Sequence, residues 1–143
     1  MSSPSVHLHV HSEYSLLDGA ANIKALAKRA ADQDQPALGL TDHGVMNGAV
    51  EHYLACRDQG INPIIGCEVY LVEDHNALDA KTVRNHLTLL AANNEGYRNL
   101  IKLSSLGFLE GLHRGKFPTL DMLQLEQNSS GIIALTGCLQ SRF

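Results

Sequence analysis

Cysteine is scarce in this chain, and what there is does not pair. Cys56, Cys67 and Cys138 are odd in number and lie at long, irregular intervals, a pattern that fits neither a disulfide framework nor a Cys-x-x-Cys zinc site and that reads as cytosolic. Surplus charge of one sign is lacking too. Eleven Lys and Arg stand against 15 Asp and Glu, for a net charge of −4 and a pI near 6.0. Without a polycationic footprint, any contact with nucleic acid has to be local or supplied by another part of a larger protein. No apolar run is long enough to span a bilayer, and Met1 to Ser5 carries neither a basic n-region nor a signal-type stretch, so no membrane partner is expected. Also missing are a Gly-rich loop followed by Lys-Ser or Lys-Thr, a Gly-x-Ser-x-Gly elbow and a Cys–His pair at suggestive spacing. Nucleophilic serine or cysteine catalysis is therefore not expected.

What is present is enough apolar residue, 44% of 143 positions, to bury the core of one soluble domain. Val6–His11 alternates like a strand, with His7, His9 and His11 on one face and Val6, Leu8 and Val10 on the other. Ile23, Leu26, Ala27 and Ala30 recur at helical spacing, Ala37–Thr41 is strand-like, and a second helix from about Asn47 is expected to turn Val50, Tyr53 and Leu54 inward and stop at Gly60. Pro63–Val72 reads as a strand, Glu73–Arg84 as a surface loop, His86–Ala92 as a strand and Glu95–Leu106 as a helix. Pro118 and Thr119 look like the start of a helix over Leu120–Glu126, and Gly131–Thr136 is the fifth strand. Alternating strands and helices of this kind predict an α/β fold with a largely parallel sheet, open or curled toward a barrel.

His9, His11, Asp18, His43, Glu68, His86 and Cys138 are the candidate site. Most of them fall at or just after the C-terminal ends of strands, the edge where α/β sheets and barrels place their chemistry. Imidazole with carboxylate suits zinc, manganese or iron, and seven donors exceed what one tetrahedral ion uses, which points to two or more ions. Two cations roughly 3.5–4 Å apart stabilise both the attacking and the leaving oxygen of a phosphate ester. Glu68 interrupts an apolar strand, where a carboxylate is costly unless paired or on metal, and is the candidate bridge. Singly, each member has a structural reading: Asp18 as a helix cap, His43 in Thr41-Asp42-His43-Gly44 as turn chemistry, His86 as a satisfied core or surface histidine, Cys138 as a small buried hydrophobe. His52, His75 and His113 are expected to be ordinary exposed side chains, with Cys56 and Cys67 packed. Arg98, Lys102, Arg114 and Lys116 could touch phosphates or simply form a solvated face.

These motifs resemble the PHP (polymerase and histidinol phosphatase) family, in the form carried at the N-terminus of bacterial DNA polymerase III alpha subunits. The resemblance rests on His7-Leu8-His9-Val10-His11 through Asp18, on Leu40-Thr41-Asp42-His43-Gly44, on Gly66-Cys67-Glu68-Val69-Tyr70, on His86-Leu87-Thr88-Leu89-Leu90 and on Leu135-Thr136-Gly137-Cys138. It implies a distorted seven-stranded β/α barrel, of which this chain would hold about five strands as a single domain over residues 1–143, stopping before the family's last metal motif, an Asp-x-His pair. The implied metal ligands are His9, His11, Asp18, His43, Glu68, His86 and Cys138, with His7 deeper in its strand and not a ligand. Glu68, His11 and His43 are the implied catalytic residues, and the implied cofactors are two or three divalent ions, zinc or manganese with iron also admitted. For the parent protein the resemblance implies a nucleotidyltransferase of DNA replication. It would be cytoplasmic, with DNA at the primer terminus, the sliding clamp and a proofreading subunit as partners, and the PHP domain would add metal-dependent phosphodiester hydrolysis, a 3′–5′ exonuclease. The fragment alone would be inactive. Two alternatives stand beside this: a free-standing PHP phosphoesterase of the histidinol-phosphatase type, and a non-catalytic domain that supports the polymerase.

Overall fold

The computed structural model describes residues 5–16, 18–136 and 141. Its elements in chain order are α1 (Ile23–Asp32), β1 (Ala37–Leu40), α2 (Ala49–Asp58), β2 (Asn62–Leu71), β3 (Asn85–Ala91), α3 (Asn94–Leu109), β4 (Leu112–His113), β5 (Phe117–Leu120), α4 (Met122–Gln127) and β6 (Ile132–Leu135). Cys138 lies outside the described residues. No helix among the described residues is long and apolar enough to cross a membrane.

The strands form one mixed sheet in the order β4-β5-β2-β3-β6, with β1 pairing beside β2. β1 and β5 run parallel to β2, whereas β3 runs antiparallel to both β2 and β6. The expectation of a largely parallel sheet thus fails at β3. The cause is local: residues 72–84 form a loop with no crossover helix, and a strand that returns without one pairs antiparallel. This reversal brings the start of β3 level with the end of β2, so that His86 faces Tyr70 and Thr88 faces Glu68.

Parity along these two strands divides core from site. Cys67, Val69 and Leu71 of β2 and Leu87 and Leu89 of β3 pack with Leu100 and Leu103 of α3 and with Leu120 and Leu125. Glu68, Tyr70, His86 and Thr88 hold the even positions and so take the other face. A second cluster joins Ile23, Ala27 and Ala30 of α1 to Leu38 and Leu40 of β1 and to Ala55 and Cys56 of α2. In α2 the expected inward residues are the wrong ones. Val50, Tyr53 and Leu54 are exposed, and the buried face is Ala49, His52, Ala55 and Cys56. Small residues let α2 lie close to α1 and β1, and His52 is tolerated there because its Nε2 bonds to the Leu38 carbonyl at 3.0 Å. Burial lowers the His52 pKa, which keeps the ring neutral.

The N-terminal segment is extended but is not a full strand. It touches β1 through a bridge between His7 and Leu38 and through Thr41 N–H donating to the Val10 carbonyl at 2.8 Å. Gly39 permits this approach, since a Cβ there would sit 2.8 Å from the Leu8 carbonyl oxygen. The His7 side chain is exposed, and the residue is engaged through its backbone, with its N–H 3.4 Å from Gln35 Oε1 and its carbonyl accepting from Gly39 N–H at 2.7 Å.

Phe117–Leu120 is a strand, not a helix start. The helix begins instead at Asp121, whose carboxylate accepts from Gln124 N–H while the Gln124 side chain accepts from Asp121 N–H, a complete capping box. His75 Nδ1 lies 2.6 Å from the other Asp121 oxygen and ties the loop after β2 to this cap. His75 and His113 are thus not free surface side chains; His113 is buried, with Nε2 donating to the Asp79 carbonyl at 2.7 Å. Burial pushes the Asp121 carboxyl up, but the Gln124 N–H and His75 outweigh it and hold the pKa below 3.8. A lowered carboxyl pKa contributes stability above the ordinary value that is lost as pH falls through the folded-state value. Asp121→Ala is expected to cost about 1–2 kcal/mol at pH 7, from the lost cap and its histidine partner. Urea titrations should show that difference shrinking as the pH drops below 3.8, because the wild type then loses the same interactions.

Candidate metal centre

The site forms where the chain leaves the β1 edge of β2. His43 bridges to Glu68 in parallel register just beyond β1, and Gly44 then turns away at φ +67°, with its N–H donating to the Glu68 carbonyl at 2.8 Å. A Cβ at Gly44 would lie 2.4 Å from Pro118 of β5, which takes over the same edge at Tyr70 and Leu71. The positive φ and the tight contact together call for glycine here.

Glu68 stands at the centre, 1% exposed. Its Oε2 is 2.6 Å from His9 Nε2 and 3.4 Å from His11 Nε2. Its Oε1 is in contact with His86 Nδ1 and lies 3.5 Å from His43 Nδ1. On the outer side, His43 Nε2 is 2.8 Å from Asp18 Oδ2. Asp18 is therefore not the cap of α1, a place held by Asn22, which accepts from Lys24 and Ala25 N–H. The His11 and His43 rings stack, with centroids 4.2 Å apart and planes at 15°.

Three overlapping sets of donor atoms lie within 4.8 Å of one another: His9, His11 and Glu68; His11, Asp18 and His43; His43, Glu68 and His86. Every described member of the sequence-derived set is thus brought to one place, and the three residues shared between sets are Glu68, His11 and His43. The donor set fits metal on a further ground. Among the described residues, His11 Nδ1, His43 Nδ1 and Glu68 Oε1 are buried without a hydrogen bond of acceptable geometry, and buried polar atoms are rarely left so unless something else satisfies them.

The electrostatics follow from crowding. The hydrogen bond with Glu68 raises the pKa of His11 against the opposing effect of burial. Burial pushes Glu68 up, but the hydrogen bond from His11 and the charges of His43, His86 and His9 outweigh it and hold the carboxyl below its ordinary value. Burial lowers His86 in spite of Glu68. The Cys67 thiol, buried under the site, is pushed up to about 12, which makes it a packing group and not a nucleophile.

Supporting residues escaped the sequence reading. Thr88 Oγ1 is 2.6 Å from His9 Nδ1, a contact that turns Nε2 toward Glu68. Tyr70 lies parallel to the His43 ring at 5.9 Å and edge-on to His86 at 5.0 Å. Both share strand parity with Glu68 and His86, and that is the signal by which they could have been found. Asp42 is buried and accepts from Ser12 N–H at 2.6 Å, Ser12 Oγ at 2.7 Å and Ser15 Oγ at 2.7 Å, so it ties the His9–His11 segment to the end of β1. Arg98 and Lys102 are exposed on α3.

Known proteins share both the sequence and the architecture. DNA polymerase III subunit alpha of Helicobacter pylori is 48% identical over 135 residues, and that of Chlamydia muridarum 46% over 139; each match covers 94% of this chain and 11% of the relative. The chain thus spans about a ninth of the length of these relatives. Among solved structures, a Bifidobacterium adolescentis protein proposed to be a metal-dependent phosphoesterase has a TM-score of 0.53 at 17% identity, covering 73% of this chain and 33% of its own, a likeness of fold alone. An amidohydrolase from Chromobacterium violaceum, with bound sulfate and no metal, has a TM-score of 0.51 at 28% identity, over 70% of this chain and 32% of its own. The PHP domain model matches residues 7–143, the span that carries every donor of the rim, and this chain belongs to the PHP domain family.

Proposed function

We propose that residues 1–143 belong to the PHP domain of a bacterial replicative DNA polymerase alpha subunit. We further infer that the rim around Glu68 hydrolyses phosphodiesters, removing nucleotides from a primer 3′ end as a proofreading exonuclease. The observation that carries this reading is Glu68 itself: a buried carboxylate with a histidine pair on each oxygen, shared between two donor sets. In this reading His9, His11, Asp18, His43, Glu68 and His86 are ligands, and Cys138 joins them.

Two or three divalent ions, zinc or manganese with iron also compatible, would polarise the phosphodiester and lower the pKa of bound water toward neutrality. The chain's own part is to hold the donors. Glu68 spans two sets, His11 and His43 link these to Asp18, Thr88 orients His9, and Asp42 fixes the extended segment that bears His9 and His11.

The test uses the complete gene product. Metal analysis is expected to find at least two zinc or manganese ions per chain, and a 3′-labelled primer should be shortened from its labelled end. Chelation should reduce that rate by at least about a hundredfold, and re-addition of metal should restore it. Degradation that survives chelation, or a metal-loaded protein that shortens no primer, would sink the reading. Turnover of a small phosphomonoester alone would move the activity to a free-standing phosphatase.

A further inference from the structure

Beside the metal centre, on the side of His86, a row of rings ends in two cations. Tyr70 packs against His43 and His86, and Phe117 packs edge-on to Tyr70 with centroids 5.7 Å apart. Over the Phe117 ring lies the Arg84 guanidinium, its Cζ 4.1 Å from the centroid, with Lys116 Nζ at 5.0 Å. Arg84 is held in place. Its Nη1 donates to His113 Nδ1 at 3.0 Å, and His113 is fixed in the tautomer that accepts there because its Nε2 donates to the Asp79 carbonyl. A half-buried guanidinium propped by an aromatic ring and a buried histidine has lost much of its freedom already, and a structural ion pair would call for a carboxylate partner, which Arg84 does not have among the described residues. Two acids of the loop before β3 are engaged locally: Asp79 accepts from Lys81 N–H and Thr82 Oγ1, and Asp74 from Asn76 N–H.

We propose that Arg84 and Lys116, seated on Phe117 and set off from the metal centre by the Tyr70 ring, bind a second phosphate of a nucleic-acid strand whose scissile phosphate lies at the Glu68 rim. The inference rests on the phosphodiesterase reading above and adds the place where the strand is held beyond its scissile phosphate. A phosphomonoester has one anionic group and can use only the rim; a polynucleotide carries a further phosphate at each step and can use both places. Guanidinium planes stacked on a ring also accept an unstacked base, which favours single-stranded ends over duplex. A chain with no overall basic surplus would thereby recognise nucleic acid locally, through two cations and not through a charged face.

The complete gene product is assayed with two substrates, a single-stranded DNA oligonucleotide and bis(p-nitrophenyl) phosphate, a diester with no second phosphate. Lys116→Ala and Arg84→Ala are each expected to raise KM for the oligonucleotide about tenfold with kcat nearly unaltered, consistent with loss of one charge-assisted phosphate contact. For the small diester, kcat/KM should move less than about twofold by the same logic. Arg84→Lys should recover part of the KM, and the small-diester rate reports that each variant is folded. An unaltered oligonucleotide KM in both alanine variants would overturn the subsite, as would parallel losses on both substrates. A wild type that cleaves neither substrate would overturn the phosphodiesterase reading, and the subsite with it.

Discussion

Glu68→Gln in the complete gene product is expected to lower exonuclease activity by at least about a hundredfold and to leave fewer than two ions bound per chain. The replacement is nearly isosteric, so the strand and its core parity survive; what goes is a charge shared between donor sets. With Oε2 at 2.6 Å from His9 and Oε1 against His86, the carboxylate joins the donor set of His9 and His11 to that of His43 and His86. An amide can offer one oxygen, whereas its NH2 group presents hydrogens to a lone pair or a cation. Thermal unfolding separates a site effect from a folding defect. Zinc or manganese should raise the wild-type Tm, as any ligand that binds only the native state does, and the variant's Tm should respond little. On the proposed reading of the complete protein as a polymerase with a nuclease rim, His11→Ala, which removes a member of two donor sets, should likewise abolish nuclease activity while sparing much of the polymerase activity. A Glu68→Gln protein with full metal content and nuclease rate would remove Glu68 from the centre of the reading.

How far the site could be read in advance depended on whether each residue's neighbours were local. His9 and His11 announced themselves through alternation alone, because period two is a property of one extended segment. Glu68 stood out as a charge within an apolar run. His86 was harder, since it lies at the start of its strand; only the reversal of β3, a consequence of the helix-free loop at 72–84, brings it level with the far part of β2 and so onto the same rim. The same loop hides what the sequence could not order. Arg84 gains its meaning from Phe117 and His113, partners about 30 residues away. The face of α2 was misjudged because bulk was taken as the guide to burial, whereas the close approach of α1 and β1 selects alanine and cysteine. His7 shares the alternation of His9 and His11, yet its side chain stays in solvent while theirs converge on Glu68. The difference lies in tertiary placement: β2 and β3 stand beyond β1 to receive the later two.

Asp42→Ala is expected to be the most destabilising single change near the site, at about 3–5 kcal/mol, although Asp42 belongs to none of the donor sets. Its two oxygens accept three hydrogen bonds at 2.6 to 2.7 Å, from the Ser12 backbone and from the hydroxyls of Ser12 and Ser15, at 2% exposure. Bonds of that length to a buried carboxylate are each worth more than neutral ones, and removing the acceptor strands two hydroxyls and an N–H away from water. The consequence reaches the metal centre through the chain. Ser12 follows His11, Ser15 Oγ receives the His43 N–H at 3.2 Å, and both histidines depend on this knot for their approach to Glu68. Asp42→Ala should therefore lose metal affinity and stability together, whereas Ser15→Ala, which removes one hydroxyl and keeps the carboxylate bonded to Ser12, should cost only about 1 kcal/mol and retain metal. Unfolding in urea, monitored with and without added zinc, reads both quantities. If Asp42→Ala bound metal as tightly as the wild type, the two histidines would have to be positioned by something other than this buried carboxylate.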